Sequence, residues 1–237
     1  MRPVVFAAVV MLGGCGAADS EPPGASATDT RAASARFAQQ CAEEAGSVAV
    51  AVLCPARLPL GGFESPRNYG DAPCAYLINL EPRGMLKRPG AVFHLLFGGT
   101  CRPWDLRTQD GRWPAVTSAA RPGDDLRLIG NTSLMPGQTA ADRERVGLRV
   151  LRRARIASEP ALVLRNAPYP IGGIHGGHIS IVWNADGAGY AVTGHAVASP
   201  ERPDGDPGPR ALARATDTLI AVARSMHQAP LRPRQAD

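Results

Sequence analysis

The chain has 237 residues, of which 44% are hydrophobic, 20% charged and 5% aromatic, and its formal net charge is +5. This length fits one globular domain or two small ones, and the hydrophobic fraction is sufficient for a packed core. The positive charge is spread along the chain, apart from the arginines between positions 143 and 155, and no basic stretch with interleaved aromatic residues occurs. This composition argues against a nucleic-acid-binding protein.

The first residues have the features of a bacterial export signal. Arg2 precedes a short apolar run over residues 3–12, which is too short to remain in a bilayer as a spanning helix. Leu12-Gly13-Gly14-Cys15 resembles the lipobox, in which an aliphatic residue and two small residues precede the cysteine that receives the lipid. We therefore predict a lipoprotein signal peptide over residues 1–14, lipidation at Cys15 and a disordered tether over residues 15–30. The alternative is a plain secretory signal in which Cys15 is incidental.

Periodicity predicts the elements that follow the tether. A helix is expected over residues 31–45, capped by Asp29 or Thr30, and a second helix over residues 210–226. Apolar runs predict strands over residues 48–53, 75–80, 91–97, 146–156 and 161–164, while residues 102–142 form an irregular segment. The sequence thus predicts an α+β fold, in which a curved antiparallel β-sheet packs against an N-terminal and a C-terminal helix. We expect a single globular domain over residues 31–228 and a disordered tail over residues 229–237.

The cysteines that follow the signal predict two disulfides, because an even number in an exported chain is typical of a bridged domain. These cysteines are Cys41, Cys54, Cys74 and Cys101. Three pairings are possible. Folding the first helix back on the next strand brings Cys41 level with Cys54, and closing the hairpin of residues 75–97 brings Cys74 near Cys101. We therefore predict the pairs Cys41–Cys54 and Cys74–Cys101.

The stretch over residues 172–197 predicts a β-hairpin that turns at Asp186-Gly187. In the register that this turn sets, Trp183 faces Tyr190 and His178 faces His195. The two faces then differ in polarity, so one should be buried and the other should be a half-exposed polar face. The first face carries Ile179, Ile181, Trp183, Tyr190 and Val192, and the second carries His178, Ser180, Val182, Thr193 and His195.

The histidines of this hairpin are the strongest chemical feature of the sequence. His175, His178 and His195 could bind a zinc ion through three neutral imidazoles and leave a fourth position for water. No carboxylate lies in the same stretch except Asp186, at the far end of the hairpin. We therefore expect ligand binding without a metal or other cofactor, and the candidate residues are His178, His195, His175, Ser180 and Thr193. A cross-strand histidine pair can also be ordinary polar surface.

Other chemistries have no support in the sequence. No nucleophile elbow, P-loop or dinucleotide-binding motif occurs in a suitable context. The cysteines are expected to be bridged, so a cysteine nucleophile is disfavoured. The arginines of the strand over residues 146–156 have two interpretations. They could meet anionic headgroups, or they form a solvated strand face that discourages edge pairing; these residues are Arg149, Arg152, Arg153 and Arg155.

Two short patterns resemble a family of exported bacterial proteins. The hairpin pattern Trp183-x3-Gly187-x2-Tyr190-x-Val192-x-Gly194 precedes a helix ending Ala223-Arg224-Ser225-Met226. The earlier pattern Val52-x-Cys54-Pro55-x2-Leu58-Pro59 is similar to the strand and turn that open such domains. Together they resemble extracytoplasmic domains of actinobacterial-type lipoproteins, including lipoprotein-carrier half-barrels and the C-terminal domains of anti-sigma factors. The resemblance implies an exported domain of sheet and helix, and it implies no catalytic residues.

Three functional hypotheses follow from these observations. The first is a lipid-anchored extracytoplasmic protein, not an enzyme, that binds a small or lipidic ligand or an envelope protein. The second is a zinc-dependent hydrolase-like enzyme that uses His175, His178 and His195. The third is a sensor or accessory subunit of an envelope complex.

Lipidation at Cys15 is directly testable. Cells that express the chain with a labelled fatty acid should incorporate label into the wild-type protein and not into Cys15→Ser, because the thiol is the atom that is alkylated. The measurement is the label in the purified protein. Equal labelling of both proteins would contradict the assignment.

Overall fold

A computed structural model describes residues 29–46, 48–63, 65–68, 73–84, 86–106, 115–116, 149–167, 176–199, 201–202 and 205–228. The predicted signal peptide, Cys15, most of the tether, His175, most of the segment over 102–142 and all but the first residues after 228 of the predicted tail boundary lie outside these residues.

The described residues form a mixed fold of mostly antiparallel strands with two helices, which agrees with the predicted α+β class. The elements are β1 (Thr30–Ala32), α1 (Ala35–Ala45), β2 (Leu53–Pro55), β3 (Arg57–Pro59), β4 (Arg67–Asn68), β5 (Ala75–Leu80), β6 (Val92–Thr100), β7 (Trp104–Asp105), β8 (Ala115–Val116), β9 (Arg149–Ile156), β10 (Glu159–Arg165), β11 (Ile179–Ala185), β12 (Ala188–Ala196), α2 (Pro209–Arg224) and β13 (Met226–Gln228). The main sheet has seven strands in the order β4-β5-β6-β12-β11-β10-β9 and is open. The pairs β1-β3, β13-β2 and β7-β8 form separate two-stranded sheets.

The first helix begins later than its hydrophobic pattern predicts. Residues 30–32 pair with β3 as strand β1, so Asp29 and Thr30 do not cap the helix. Ser34 is the N-cap, and its hydroxyl accepts a hydrogen bond from the backbone N–H of Phe37 at 3.1 Å. The predicted helix start at residue 31 is therefore wrong, because pairing with a distant strand satisfies the backbone of residues 30–32 better than a helical turn would.

The hairpin register is confirmed. Trp183 pairs with Tyr190, Ile181 with Val192 and Ser180 with Thr193. Asp186 and Gly187 have φ angles of 50° and 76°. A two-residue hairpin turn whose central residues both have positive φ matches the right-handed twist of the flanking strands, which explains why Asp-Gly sets the register.

Both faces of the hairpin are buried, which differs from the half-exposed polar face that the sequence predicts. The face with Trp183 belongs to the large core that also contains Leu219 and Val222 of α2. The opposite face joins a second cluster that consists of Leu77, Leu96, Trp104, Leu162, Leu164, Val182 and Ala191. His178 and Ser180 are each only 1% exposed.

The packing of Trp104 covers one end of this second face. Its indole Nε1 donates a hydrogen bond to the backbone oxygen of Tyr190 at 3.1 Å. A Cβ atom at Gly189 would lie 2.7 Å from the same Nε1, so the ring needs a glycine beneath it. The backbone N–H of Trp104 and the amide of Asn184 complete the contact. The burial depends on a residue far along the chain, which a local alternation pattern does not reveal.

Both predicted disulfides are present. Cys41 pairs with Cys54 and Cys74 pairs with Cys101, with Cα–Cα distances of 6.2 Å and 5.0 Å. Disulfides are typical of proteins in oxidising, extracytoplasmic compartments. Neither helix of the described chain has the length and apolar composition that crossing a membrane requires.

The aromatic pair in the hairpin generates a stability prediction. Trp183 is 2% exposed and stacks on Tyr190 with ring centroids 5.8 Å apart. Trp183→Ala should lower the free energy of unfolding by about 3–5 kcal/mol, because it empties an aromatic core site. Denaturant titration checks this value, and Trp183→Phe, which keeps most of the stacked area, is the matched variant. An unfolding midpoint of Trp183→Ala equal to that of the wild type would contradict the packing.

Candidate functional site

Polar side chains form a row across four neighbouring strand positions on the second face of the main sheet. His94 of β6 pairs with His195 of β12. His178 immediately precedes β11 and lies beside His195, because the next pair along the ladder is Ile179 with Gly194. Asn166 follows β10, and its backbone N–H donates to the backbone oxygen of His178 at 2.9 Å. We call this row, together with Asn79, Ser180 and Thr193, the histidine cluster.

The three imidazole rings of the cluster are in contact range. The centroids of His178 and His195 lie 4.8 Å apart in an edge-to-face arrangement, and those of His94 and His178 lie 5.6 Å apart. Phe93 adds an apolar neighbour 4.7 Å from the ring of His195. The sequence-predicted pair His178 and His195 is therefore brought together, and His94 joins it from a strand that sequence reasoning did not connect to the site.

A glycine with a left-handed backbone lies beside the ring of His195. Gly177 has a φ angle of +81°, in the left-handed region that favours glycine, and a Cβ atom there would lie 3.7 Å from Nε2 of His195. Its backbone N–H donates to the oxygen of Ala167 at 2.9 Å, which extends the strand pairing into the loop. His175, the third predicted candidate, lies outside the described residues.

A hydroxyl pair forms the next row of the cluster. The Oγ1 of Thr193 donates a hydrogen bond to the Oγ of Ser180 at 2.8 Å. Thr193 is 0% exposed and Ser180 is 1% exposed. Two hydroxyls that bond to each other still leave acceptor lone pairs and one donor for other partners. The two predicted residues thus lie together beneath the histidines.

An amide fixes the orientation of His94. Its Nε2 lies 2.7 Å from the side-chain oxygen of Asn79, which can only accept, so Nε2 carries the proton. The Nδ2 of Asn79 donates to the carboxylate of Glu81, which is consistent with that amide orientation. Burial lowers the pKa of the His94 imidazole, and the charge of Glu81 opposes this effect in part. His94 is therefore a neutral ring at neutral pH whose Nδ1 carries a lone pair.

Asn166 is the member of the cluster with unmet hydrogen-bonding capacity. It is 1% exposed, yet neither its Nδ2 nor its Oδ1 has a hydrogen-bond partner. Burying a polar group without a partner costs about 1–3 kcal/mol. An amide buried at such a cost, next to His178, is well suited to bind a group with both a donor and an acceptor.

Sequence reasoning missed His94, Asn79 and Asn166. Asn79 alternates with buried apolar residues in β5, and this polar position in an apolar strand was the available signal. The signal did not identify the site, because the pairing of β6 with β12 joins residues about a hundred positions apart. Within the residues that the structure describes, no group of three or more His, Cys, Asp or Glu side chains is arranged to hold a metal ion.

Comparison with protein-family models, with curated proteins and with solved structures gives no match. The resemblance of the hairpin and the C-terminal helix to exported bacterial lipoproteins therefore stays a prediction from the sequence.

The buried imidazole of His94 makes stability depend on pH. Because the pKa of His94 is lowered in the folded state, its contribution is fully present above the unfolded pKa of about 6.5 and is lost as the pH falls towards the folded pKa. In His94→Gln this loss should disappear, so the free energy of unfolding should fall less steeply in acid than in the wild type. Denaturant titrations at a series of pH values below about 6.5 give the slope of unfolding free energy against pH for each protein. His178 and His195 are present in both proteins, so identical slopes would contradict the assignment to His94.

Proposed function

We propose that the protein is a lipid-anchored extracytoplasmic protein that binds a small polar ligand at the histidine cluster and is not an enzyme. The observation that carries this proposal is Asn166, a buried amide without hydrogen-bond partners beside His178. A ligand that supplies one acceptor and one donor to this amide would remove the cost of burying it.

The chemistry of the cluster favours recognition over proton transfer. In the usual histidine base, a carboxylate accepts from one ring nitrogen and stabilises the imidazolium that forms. His94 instead donates to the neutral amide of Asn79, and the nearby carboxylate of Glu81 contacts Asn79 rather than the ring. Burial lowers the pKa of His94, so the neutral ring is the form that meets a ligand, as a hydrogen-bond partner.

The location outside the cytoplasm has two kinds of support. The two disulfides are typical of an oxidising compartment. The lipobox pattern ending at Cys15 supports a lipid anchor in the bacterial membrane. We also propose that the main sheet is a curved layer and that both helices pack on the face opposite the histidines. The membership of Cys41, Ala45 and Leu219 in one core with Trp183 supports this arrangement.

Asn166→Leu tests the ligand proposal, because it replaces the unpartnered amide by an apolar group of similar size. The full chain is purified from its own membranes and examined by native mass spectrometry. Its melting temperature is then compared with that of protein unfolded in denaturant, with disulfides intact, and refolded free of ligand. We expect the wild type to carry extra mass and to melt higher before refolding, and Asn166→Leu to carry no extra mass and to melt equally in both states.

The matched control is Asn184→Leu. Asn184 lies on the same face of β11, but its amide is satisfied by the backbone of Trp104. This variant should be less stable and still carry the extra mass. A wild type without extra mass that becomes more stable on Asn166→Leu would refute the ligand proposal, because it would show an amide that is merely unpartnered. Co-purification of a protein with the wild type, lost in Asn166→Leu, would favour an envelope partner in its place.

A further inference from the structure

A basic surface lies at one edge of the main sheet. Among the strands that the structure describes, β9 is the last in the sheet order, so one side of its backbone has no partner strand among them. It carries four arginines and no acidic residue over eight positions. We call this surface the basic edge. It consists of Leu151, the four arginines of β9 and the three arginines of α2, namely Arg149, Arg152, Arg153, Arg155, Arg210, Arg214 and Arg224.

A β-bulge places an apolar residue within this charge. Val163 pairs with Arg152 and Leu164 pairs with Val150, so Leu151 has no residue opposite it. Leu151 is 38% exposed, and within the described residues it is the large hydrophobic side chain that solvent reaches most openly. The bulge also changes the predicted faces of the strand. Strict alternation along the sequence predicts that Arg149, Arg153 and Arg155 share one face. This prediction is wrong, because Arg149 shares a face with Arg152, whereas Arg153 and Arg155 lie on the other.

The second helix extends the basic edge. Arg210, Arg214, Asp217 and Arg224 follow one another at spacings of four, three and seven residues, which places them on one stripe of α2. Two contacts join this stripe to β9. Arg152 forms an ion pair with Asp217, and Nε of Arg224 donates to the backbone oxygen of Arg155 at 3.1 Å.

The charge on this surface is mostly not neutralised locally. Asp217 is engaged by Arg152. No carboxylate in the described part of the chain forms an ion pair with Arg149, Arg153 or Arg214, and all three residues are exposed. Charged residues on an edge strand prevent edge-to-edge pairing, and this role would account for arginines on β9. Edge protection does not explain the arginines on α2. It also does not explain the exposed Leu151, because an apolar side chain weakens such protection.

We propose that the basic edge is a docking surface for an anionic phospholipid bilayer. Its arginines meet the lipid phosphates, and the side chain of Leu151 enters the boundary between headgroups and acyl chains. Long arginine stems cover apolar surface while their guanidinium groups remain in water, which suits a shallow position at that boundary. This proposal goes beyond ligand binding at the histidine cluster, because it concerns the edge of the sheet that β9 forms.

The test uses the full chain as Cys15→Ser, so that an attached lipid cannot contribute. Partition onto vesicles of phosphatidylglycerol mixed with phosphatidylcholine is compared with partition onto vesicles of phosphatidylcholine alone. Arg149→Ser/Arg153→Ser/Arg214→Ser should lower the partition coefficient on the anionic vesicles by about fivefold per arginine. It should leave binding to the neutral vesicles unchanged. The difference should shrink as salt is added, because screening acts on exposed charges.

The control is Arg31→Ser/Arg36→Ser/Arg83→Ser, which removes the same charge from exposed positions outside the basic edge. It should bind anionic vesicles like the parent protein, while Leu151→Ser should bind them less tightly even at high salt. An equal loss in both triple variants would overturn the proposal, since net charge alone would then explain it. Unchanged vesicle binding with new oligomers of the first variant would also overturn it, in favour of edge protection. Circular dichroism establishes that each variant is folded.

Discussion

The pairing of β6 with β12 is the constraint on which the rest of the structure depends. It joins the hairpin of β5 and β6 to the hairpin of β11 and β12, and without it the main sheet would be two separate pieces. Pairing of strands so far apart must repay a large loop-closure entropy. Burial of apolar side chains on both faces offsets this entropy loss. Tyr190 packs over Gly99 on one face, and Trp104 packs over Gly189 on the other.

This same pairing creates the chemical character of the site. It brings His94 against His195 and lets Asn79 orient the ring of His94. Polar groups then occur where the sheet would otherwise be apolar, and each has to be satisfied at low dielectric. Asn79, Ser180 and Thr193 meet this requirement with side-chain partners. Within the cluster Asn166 does not, and under the proposed function a bound ligand would satisfy this amide.

The histidine cluster and the basic edge have different electrostatic character. The histidine cluster is mostly buried, and burial lowers the pKa of His94, so this surface favours short-range hydrogen bonding. At β9 the arginines are exposed, so their fields act at longer range and are screened by salt. A protein held at a membrane by a tether could use the second surface to set its orientation and the first to bind its ligand.

Local chemistry in the sequence determined several features outright. Asp186-Gly187 fixed the hairpin register, because a turn with two positive φ angles fits the twist of the strands. The short loops between Cys41 and Cys54 and between Cys74 and Cys101 determined the disulfide pairing, since folding each local unit brings the thiols together. The placement of His178 beside His195 followed from the same register.

Only the tertiary structure decided which partners meet across distant segments. Whether the polar face of the hairpin is buried depends on Trp104, and whether residues 30–32 are helix or strand depends on β3. The membership of His94 and Asn166 in the site depends on the order of strands in the sheet. Alternation tells which face of a strand a residue occupies but not which strand lies next to it, because neighbouring strands are chosen by the packing of the whole core.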